Sequence, residues 1–290
     1  MDIGNKTIGV IGNGFVGGAV SRGFLDNGYE VFVYDKDKTK SKNSLPDVLS
    51  CDFVFVCLPT PMTDHGGGSV NLSIVLDFFS DVIQKELFSP IYILKSTVPP
   101  GATENISNIS KGLLKIVHNP EFLTAANAVN DFKKADRTVL GGDKKITNKV
   151  SLLYKQAYPK CPIIEMSSGE SELVKYAANC FLATKVIYFN LIYKLCESIG
   201  LDYELVSKGV MGDSRIGNSH FNVPGPDGDF GFGGTCFPKD INGLIKTMQE
   251  ESVPHSLLKE AWELNKTIRK NWDWSNNPSA VLEMEIATDD

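Results

Sequence analysis

The chain has 290 residues, enough for one large domain or two ordinary ones, and its 42% hydrophobic and 22% charged content is that of a globular protein. A net charge of −6 gives no electrostatic reason to expect nucleic acid or an anionic membrane as a partner. Met1 to Lys6 runs straight into a strand, so no secretory leader is expected, and no apolar run is long enough to span a bilayer. Six cysteines (51, 57, 161, 180, 196, 236) show neither metal spacing nor disulfide density, and read as reduced thiols of a cytoplasmic protein.

Thr7 to Ile11 is a short apolar strand. Gly12-Asn13-Gly14-Phe15-Val16-Gly17 follows it, and Ala19 to Leu25 reads as a helix. That is G-x-G-x-x-G between a strand and a helix, the setting in which it cradles a dinucleotide pyrophosphate at a helix N-terminus. A second strand, Glu30 to Tyr34, ends in Asp35. An acid about 20 residues beyond the glycines accepts the ribose hydroxyls of NAD and repels the 2′-phosphate of NADP. Lys36 to Lys42 is a charge run and reads as a solvated face. Lys40 is the lysine expected to reach the adenosine ribose.

Phe53 to Leu58 and Ile91 to Leu94 are continuous apolar strands of the parallel-sheet kind. Pro59-Thr60-Pro61 ends the first, and Lys95-Ser96-Thr97 ends the second. Ligands of open α/β sheets bind beyond strand C-termini, so Pro59, Thr60, Ser96 and Thr97 are candidate cofactor contacts. Capping the next helix is an equally credible role for Thr60, Ser96 and Thr97. Further strands are expected at Lys115 to Val117, Arg137 to Gly142 and Pro162 to Glu165, with helices at 71–83, 124–130 and 144–157. Glu121 falls just beyond one strand end. This alternation predicts a doubly wound parallel sheet up to about residue 165.

The pattern then changes. Ser168 to Ser198 contains no proline, and apolar residues recur at three and four, which predicts one long helix. It suits a bridge between modules or a subunit contact, so a homodimer is expected. Lys175 and Asn179 share a face of it. Another helix runs to about Val210, and a Gly/Pro-rich loop, Gly212 to Gly228, leads to Gly231-Phe232-Gly233-Gly234-Thr235-Cys236. Pro238 suits the first position of a helix over Asp240 to Gln249. Thiols at helix N-termini ionise more easily, because unpaired N–H groups and the dipole favour negative charge. A last helix spans about 254–270, and the stretch from Trp272 has little pattern. The domains expected are therefore 1–166, a helical domain at 167–271 and a tail at 272–290.

These stretches together resemble the UDP-glucose/GDP-mannose dehydrogenase family. The matching pieces are Gly12 to Gly17, Pro59-Thr60-Pro61, Lys95 to Gly101, Asn119-Pro120-Glu121-Phe122-Leu123, Glu172 to Asn179, Arg215-Ile216-Gly217 and Gly233 to Asp240. The resemblance implies a Rossmann-type domain, a long central helix and a small all-α domain. It also implies a four-electron oxidation of a nucleotide-sugar C6 alcohol to a carboxylate, with two NAD reduced per sugar. Lys175 and Asp240 would hold the water that takes the first proton, and Lys175 and Asn179 would stabilise the oxyanion. Cys236 would trap the aldehyde as a thiohemiacetal that becomes a thioester. Glu121, helped by Thr97, would activate the hydrolytic water. Lys239 would lie near the cofactor. Phe122, Leu123, Arg215, His220, Phe232 and Gly233 would line the sugar-nucleotide site. UDP-glucose is the substrate favoured, with GDP-mannose and UDP-N-acetylhexosamines as alternatives.

The chain departs from that family in three places. Phe15 stands where Tyr is usual, and Ala125 stands where a second glutamate is usual. A third, C-terminal α/β domain is usual beyond the point where this chain ends at Asp290. Two other readings compete. One is a hydroxyacid-type dehydrogenase making a single hydride transfer, which would share Lys175 and Asn179 but has no use for Cys236. The other is a non-catalytic nucleotide-binding protein.

Overall fold

The computed structural model describes residues 6–124 and 126–282, so Ala125 and the acidic end of the tail lie outside it. The chain forms two compact units. One comprises the residues up to Thr60 with Leu72–Lys175, and the other comprises Pro61–Asn71 with the residues from Tyr176 on.

In the first unit the elements are β1 (Thr7–Ile11), α1 (Phe15–Asp26), β2 (Glu30–Tyr34), α2 (Leu45–Leu49), β3 (Phe53–Val56), α3 (Ser73–Gln84), β4 (Ile91–Leu94), α4 (Ala102–Ile109), β5 (Lys115–His118), α5 (Ala128–Lys133), β6 (Thr138–Gly142), α6 (Lys144–Ala157) and β7 (Ile163–Met166). The strands make one seven-stranded sheet in the order β2-β1-β3-β4-β5-β6-β7. Alternation along the strands feeds two cores, as a period of two requires. Ile8, Val10, Phe53, Phe55, Ile91 and Ile93 pack with Phe24, Phe132 and Tyr154 on one face. Ile11, Val54, Val56, Tyr92 and Leu94 pack with Val75, Phe79 and Ile106 on the other. Phe24 is completely buried, with the rings of Phe55, Tyr29, Phe132, Tyr154 and Tyr158 all 5.2–5.9 Å away. Burial of one such side chain stabilises the fold by about 1.5–3 kcal/mol.

The expected doubly wound sheet is present, with one pairing that is not parallel. β1 to β5 are parallel, but β6 pairs antiparallel with β5, and β7 follows β6 in parallel. A parallel return needs a crossover element laid over the sheet. The segment between β5 and β6 instead forms a site loop and the six-residue α5, which packs on α1. The crossover is missing, and the chain returns reversed. Strand order turns at β1 and β3, so the crevice beyond their C-termini is where a ligand of such a sheet sits.

α7 (Ser168–Ile199) is one helix of 32 residues, beginning in the first unit and continuing into the second. The second unit holds α8 (Tyr203–Met211), α9 (Cys236–Glu250) and α10 (Ser256–Ile268). Its core gathers Met62, Cys180, Ile187, Phe232, Ile241, Trp262 and Trp274. As far as it is described, the stretch beyond Trp272 packs on the second unit's core. Trp274, Ala280 and Val281 are buried, and Met62 N–H donates to Ala280 O at 2.6 Å. Two short helices, α2 and α4, are absent from the sequence reading. α9 begins at Cys236, so Pro238 is its third residue rather than its first.

Candidate active site

The first unit carries a dinucleotide end. Gly12 is at φ +87°, and a Cβ on Gly17 would lie 1.8 Å from Gly12 O, so helix and turn meet only because both residues are glycine. Gly14 caps α1 and faces open space, since a Cβ there would meet nothing within 4 Å. An open Gly14 and the N-terminal N–H groups of α1 form a cradle that fits a pyrophosphate. Phe15 is exposed, and Val16 is half-buried behind it. Asp35 Oδ2 accepts the Asn13 N–H at 2.6 Å, and the Asn13 amide donates to Lys40 O at 2.7 Å. Loop and acid are thereby fixed to one another. The residues present fit NAD.

Thr60 and Ser96 do not cap helices. The Thr60 hydroxyl donates to Thr97 O at 2.8 Å, and the Ser96 hydroxyl donates to Leu58 O at 2.7 Å. Both stitch the end of β3 to the end of β4, beside exposed Pro59 and buried Thr97.

Glu121 and Lys175 form a buried ion pair in the same unit. Lys175 Nζ lies 2.7 Å from Glu121 Oε1 and donates to Glu121 O at 2.7 Å, with both side chains at most 6% exposed. Burial pushes the Glu121 carboxyl up, but Lys175, the Leu123 N–H and the charge of Lys95 outweigh it and hold the group below the usual carboxylate range. The Lys175 ammonium also sits 5.7 Å from the Phe122 ring, whose centre is 4.1 Å from the Arg137 guanidinium.

A second cation supports this loop from below, and sequence reasoning assigned it no role. Lys95 Nζ donates to Asn119 Oδ1 at 3.1 Å, which also accepts the Tyr154 hydroxyl at 2.6 Å. Asn119 in turn donates to Val139 O at 2.8 Å. A cavity of about 280 Å³ lies beside Lys95, Glu121 and Phe122. Burial pushes the Lys95 ammonium from 10.5 down to about 8, against the pull of Glu121. The gap corresponds to about 3 kcal/mol against folding at neutral pH, by linkage. The unfolded chain holds this proton more tightly, so the penalty is complete below about pH 8 and fades as pH rises through 10.5. Lys95→Met is therefore expected to melt higher than the parent at pH 7, by roughly 1–3 kcal/mol once the lost hydrogen bonds to Asn119 Oδ1 and Pro120 O are counted. Melting curves from pH 7 to pH 10.5 check this, and a lower melting temperature at pH 7 contradicts it.

The second unit carries the cysteine. Cys236 is the first residue of α9, half-buried, with Thr235 Oγ1 3.8 Å from its sulfur. The N–H groups of that first turn have no acceptor further back in the helix. The loop before it is clamped. Asn265 accepts the Phe232 N–H at 2.7 Å and donates to Phe232 O at 3.0 Å. Asn190 accepts the Gly231 N–H, and Asp273 accepts the Gly234 N–H. Arg269, 5% exposed, pairs with Asp227 at 2.6 Å and Asp273 at 3.1 Å. A Cβ on Gly233 would lie 2.1 Å from the Arg269 guanidinium, so only glycine fits beneath it. Buried Phe232 stacks on Trp262 and meets Phe237 edge-on.

Asp240 is fully buried on the same helix. Asn179 Nδ2 donates to Asp240 Oδ2 at 2.6 Å, and buried Lys239 pairs with Asp240 Oδ1. The geometry thus groups Asn179, Asp240 and Lys239 in this unit, and Lys175, Glu121, Phe122 and Leu123 in the other. Arg215 is on the surface, held by Asp213 with Nε to Oδ1 at 2.9 Å. Lys185 donates to the carbonyls of Ile216 and Gly217, pinning the turn beside it. His220 has its ring 5.6 Å from that of Phe237, and burial together with Lys185 holds its pKa below the usual value. Asn190, Asn265, Arg269 and Asp273 escaped the sequence reading. Asn265 and Arg269 stand one turn apart, polar positions on an otherwise amphipathic stretch, and that spacing is the one signal that pointed to them.

Residues 42–158 match the NAD binding domain of the UDP-glucose/GDP-mannose dehydrogenase family, and residues 169–267 match its central domain. A UDP-glucose 6-dehydrogenase of Rhizobium meliloti is 32% identical over 89% of this chain and 67% of its own length. The chain belongs to the UDP-glucose/GDP-mannose dehydrogenase family. A second relative, a UDP-glucose 6-dehydrogenase of Rickettsia conorii, is 35% identical over 80% of this chain and 53% of its own length. Among solved structures, a UDP-glucose dehydrogenase from Pyrobaculum islandicum superposes with a TM-score of 0.81 at 28% identity, covering 92% of this chain and 70% of that one. The family is one of NAD-dependent oxidoreductases, and the glycine cradle with Asp35 suits that cofactor. Among the described residues no helix is long and apolar enough to cross a membrane.

Proposed function

We propose that the chain oxidises the C6 alcohol of a nucleotide sugar to a carboxylate, with UDP-glucose as the first substrate to test. The observation that carries this is Cys236 at the first residue of α9, on a loop clamped by Asn265, Arg269 and Asp273. NAD, when bound, supplies the acceptor for two electrons in each of two rounds. In the first round the alcohol loses a proton to water, a step assigned to Lys175 of the first unit and Asp240 of the second. Asn179 commits one amide N–H to Asp240, which leaves its other N–H to donate to the oxygen that becomes negative.

The aldehyde keeps one C–H bond, but its carbon gives up that hydride readily only after a nucleophile has added to it. The Cys236 sulfur adds to that carbon, the oxygen takes a proton, and a thiohemiacetal forms. Its oxidation leaves a thioester on Cys236. Water adds to the thioester carbon with Glu121 taking its proton, the C–S bond breaks, and carboxylate and thiol are released. Lys239 pairs with Asp240 Oδ1, Thr97 sits with the strand end beyond which the cofactor binds, and Phe122 and Leu123 line the reacting end. Arg215, His220, Phe232 and Gly233 receive the nucleotide portion. Turnover across UDP-glucose, GDP-mannose and UDP-N-acetylhexosamines tests the assignment, and UDP-glucose is expected to give the highest kcat/KM. No turnover with any of them, despite NADH binding, favours the non-catalytic reading.

The same proposal includes a homodimer. In the second unit α7 exposes Phe181, Tyr188 and Leu195 at a seven-residue spacing, with Ile199 and, on α8, Leu205 also exposed. An apolar stripe of that period suits a helix of a second copy. Sedimentation is expected to show a dimer that Phe181→Glu with Leu195→Glu converts to monomer. A monomeric parent chain removes this part of the proposal.

A further inference from the structure

We propose that His118 and Ser171 are the positioning residues of the Glu121–Lys175 pair, setting where the start of α7 lies against the exit of β5. The bearing of this on turnover rests on the roles proposed above for Glu121 and Lys175. The register itself rests on the geometry of the first unit.

Two contacts tie the same two elements together. His118 is the last residue of β5, and its Nδ1 lies 2.8 Å from Ser171 Oγ, with both residues completely buried. Glu121 comes three residues after His118, and Lys175 comes one helical turn after Ser171 on the same face of α7. The first contact therefore fixes the height and rotation at which the Lys175 ammonium meets the carboxylate and the carbonyl of Glu121, each at 2.7 Å. Gly141 admits the approach. In the antiparallel pairing of β5 and β6 it stands opposite His118, and a Cβ on it would lie 2.3 Å from Ser171 Cβ and 2.7 Å from Ser167 O. With glycine there, α7 rests directly on the strand and Ser171 reaches the imidazole.

The imidazole does this as a neutral group. Burial, and then the charges of Lys95 and Lys175, push it from 6.5 down to about 3. It holds Ser171 without setting another positive charge near Lys175. A further anchor keeps the helix docked when this contact is lost. Glu172, also fully buried, accepts the Gly101 N–H at 2.6 Å and the Thr103 N–H at 2.8 Å at the start of α4. Loss of the Ser171 hydroxyl thus leaves α7 in place and loosens its register. Small displacements matter here, because a misplacement of about 1 Å costs roughly a hundredfold in rate.

The test compares Ser171→Ala, His118→Leu and His118→Asn, the last because asparagine puts a hydrogen-bonding atom at the place of Nδ1. Ser171→Ala and His118→Leu are expected to lower kcat by roughly ten- to a hundredfold and to change KM by about threefold or less. His118→Asn is expected to stay within about threefold of the parent in both. A contact that serves only the fold lowers the melting temperature and leaves kcat per folded chain unchanged.

A second arm needs no turnover. Glu121 is faced by Lys175 from α7, by Lys95 from the end of β4, and by the Cys57 thiol from the end of β3, which burial pushes up to about 12 and keeps neutral. The urea stability lost on Lys175→Met is measured with and without Ser171→Ala from pH 3.5 to pH 8. With the register loosened, Lys175 holds Glu121 below its ordinary 4.5 less strongly. The loss is then expected to be smaller near neutrality, and to fade at a pH higher by about one as pH falls. Should His118→Leu not fold, Ser171→Ala, smaller by one oxygen, carries both arms. Equal losses at every pH with and without Ser171→Ala overturn the inference. So does an unchanged kcat in Ser171→Ala while Glu121→Gln is inactive. Glu121→Gln at the parent rate overturns the proposed role of Glu121 instead, and the stability comparison then decides the register by itself.

Discussion

Cys236→Ala is expected to lower the rate of carboxylate formation by roughly a thousandfold or more, because the trigonal aldehyde carbon is a poor hydride donor until a nucleophile adds to it. The fold is expected to survive the change. The loop that presents the sulfur is held by Asn190, Asn265, Arg269 and Asp273, and none of those bonds involves the side chain at 236. Melting temperature should therefore move little, as is usual for a half-buried side chain outside a core. Product analysis by mass spectrometry, beside a melting curve, separates loss of the nucleophile from loss of structure. A variant that makes carboxylate near the parent rate contradicts the covalent route. A variant that is inactive because it is unfolded contradicts the clamp described for residues 230–235.

Lys175→Met is expected to cost about 3–5 kcal/mol of stability at neutral pH, the range found when one partner of a buried pair is removed. It leaves Glu121, 6% exposed, with the Leu123 N–H at 2.7 Å, no hydrogen-bonded ammonium, and only the charge of Lys95 nearby. The sign with pH follows from the direction in which Glu121 is held. Its folded pKa lies below the ordinary 4.5, so the pair's contribution is complete above that pH and is lost as pH falls through the folded value. The gap between parent and variant is thus widest near neutrality and narrows in acid. Lys175→Met combined with Glu121→Gln should recover much of the stability and none of the activity, which separates the structural role of the pair from its proposed chemistry. Urea denaturation between pH 3.5 and pH 8 measures this. A gap that stays constant across that range contradicts the ion pair as the source.

The nucleotide end of the first unit was legible because its chemistry is local. Gly12, Gly14, Gly17 and Asp35 lie close in sequence, and each residue type answers one steric or charge demand. The long helix was legible from period alone, and α7 runs Ser168–Ile199 against an expected 168–198. The direction of β6 was not legible, since alternation at a period of two is the same in either direction. α2, at five residues, and α4, at eight, are too short for helical periodicity to stand out.

The clamp on the cysteine loop was hidden for a different reason. Asn265, Arg269 and Asp273 act on Phe232, Gly233 and Gly234 from more than thirty positions away, and one sequence carries no record of such pairing. Lys95 was hidden by its neighbours. In Lys95-Ser96-Thr97 the lysine resembles a surface residue after a strand, whereas it is 4% exposed and supports Asn119. Likewise, Glu121 beside a proline resembles a helix-start acid until its partner, 54 positions on, is known.

The most direct measurement is the amount of NADH formed per nucleotide sugar at completion, with the sugar product identified in the same tube. Two NADH for each sugar, with the C6 carboxylate as product, is the result expected of a chain that carries its intermediate on Cys236. One NADH for each sugar, with an aldehyde as product and Cys236→Ala equally active, would contradict it.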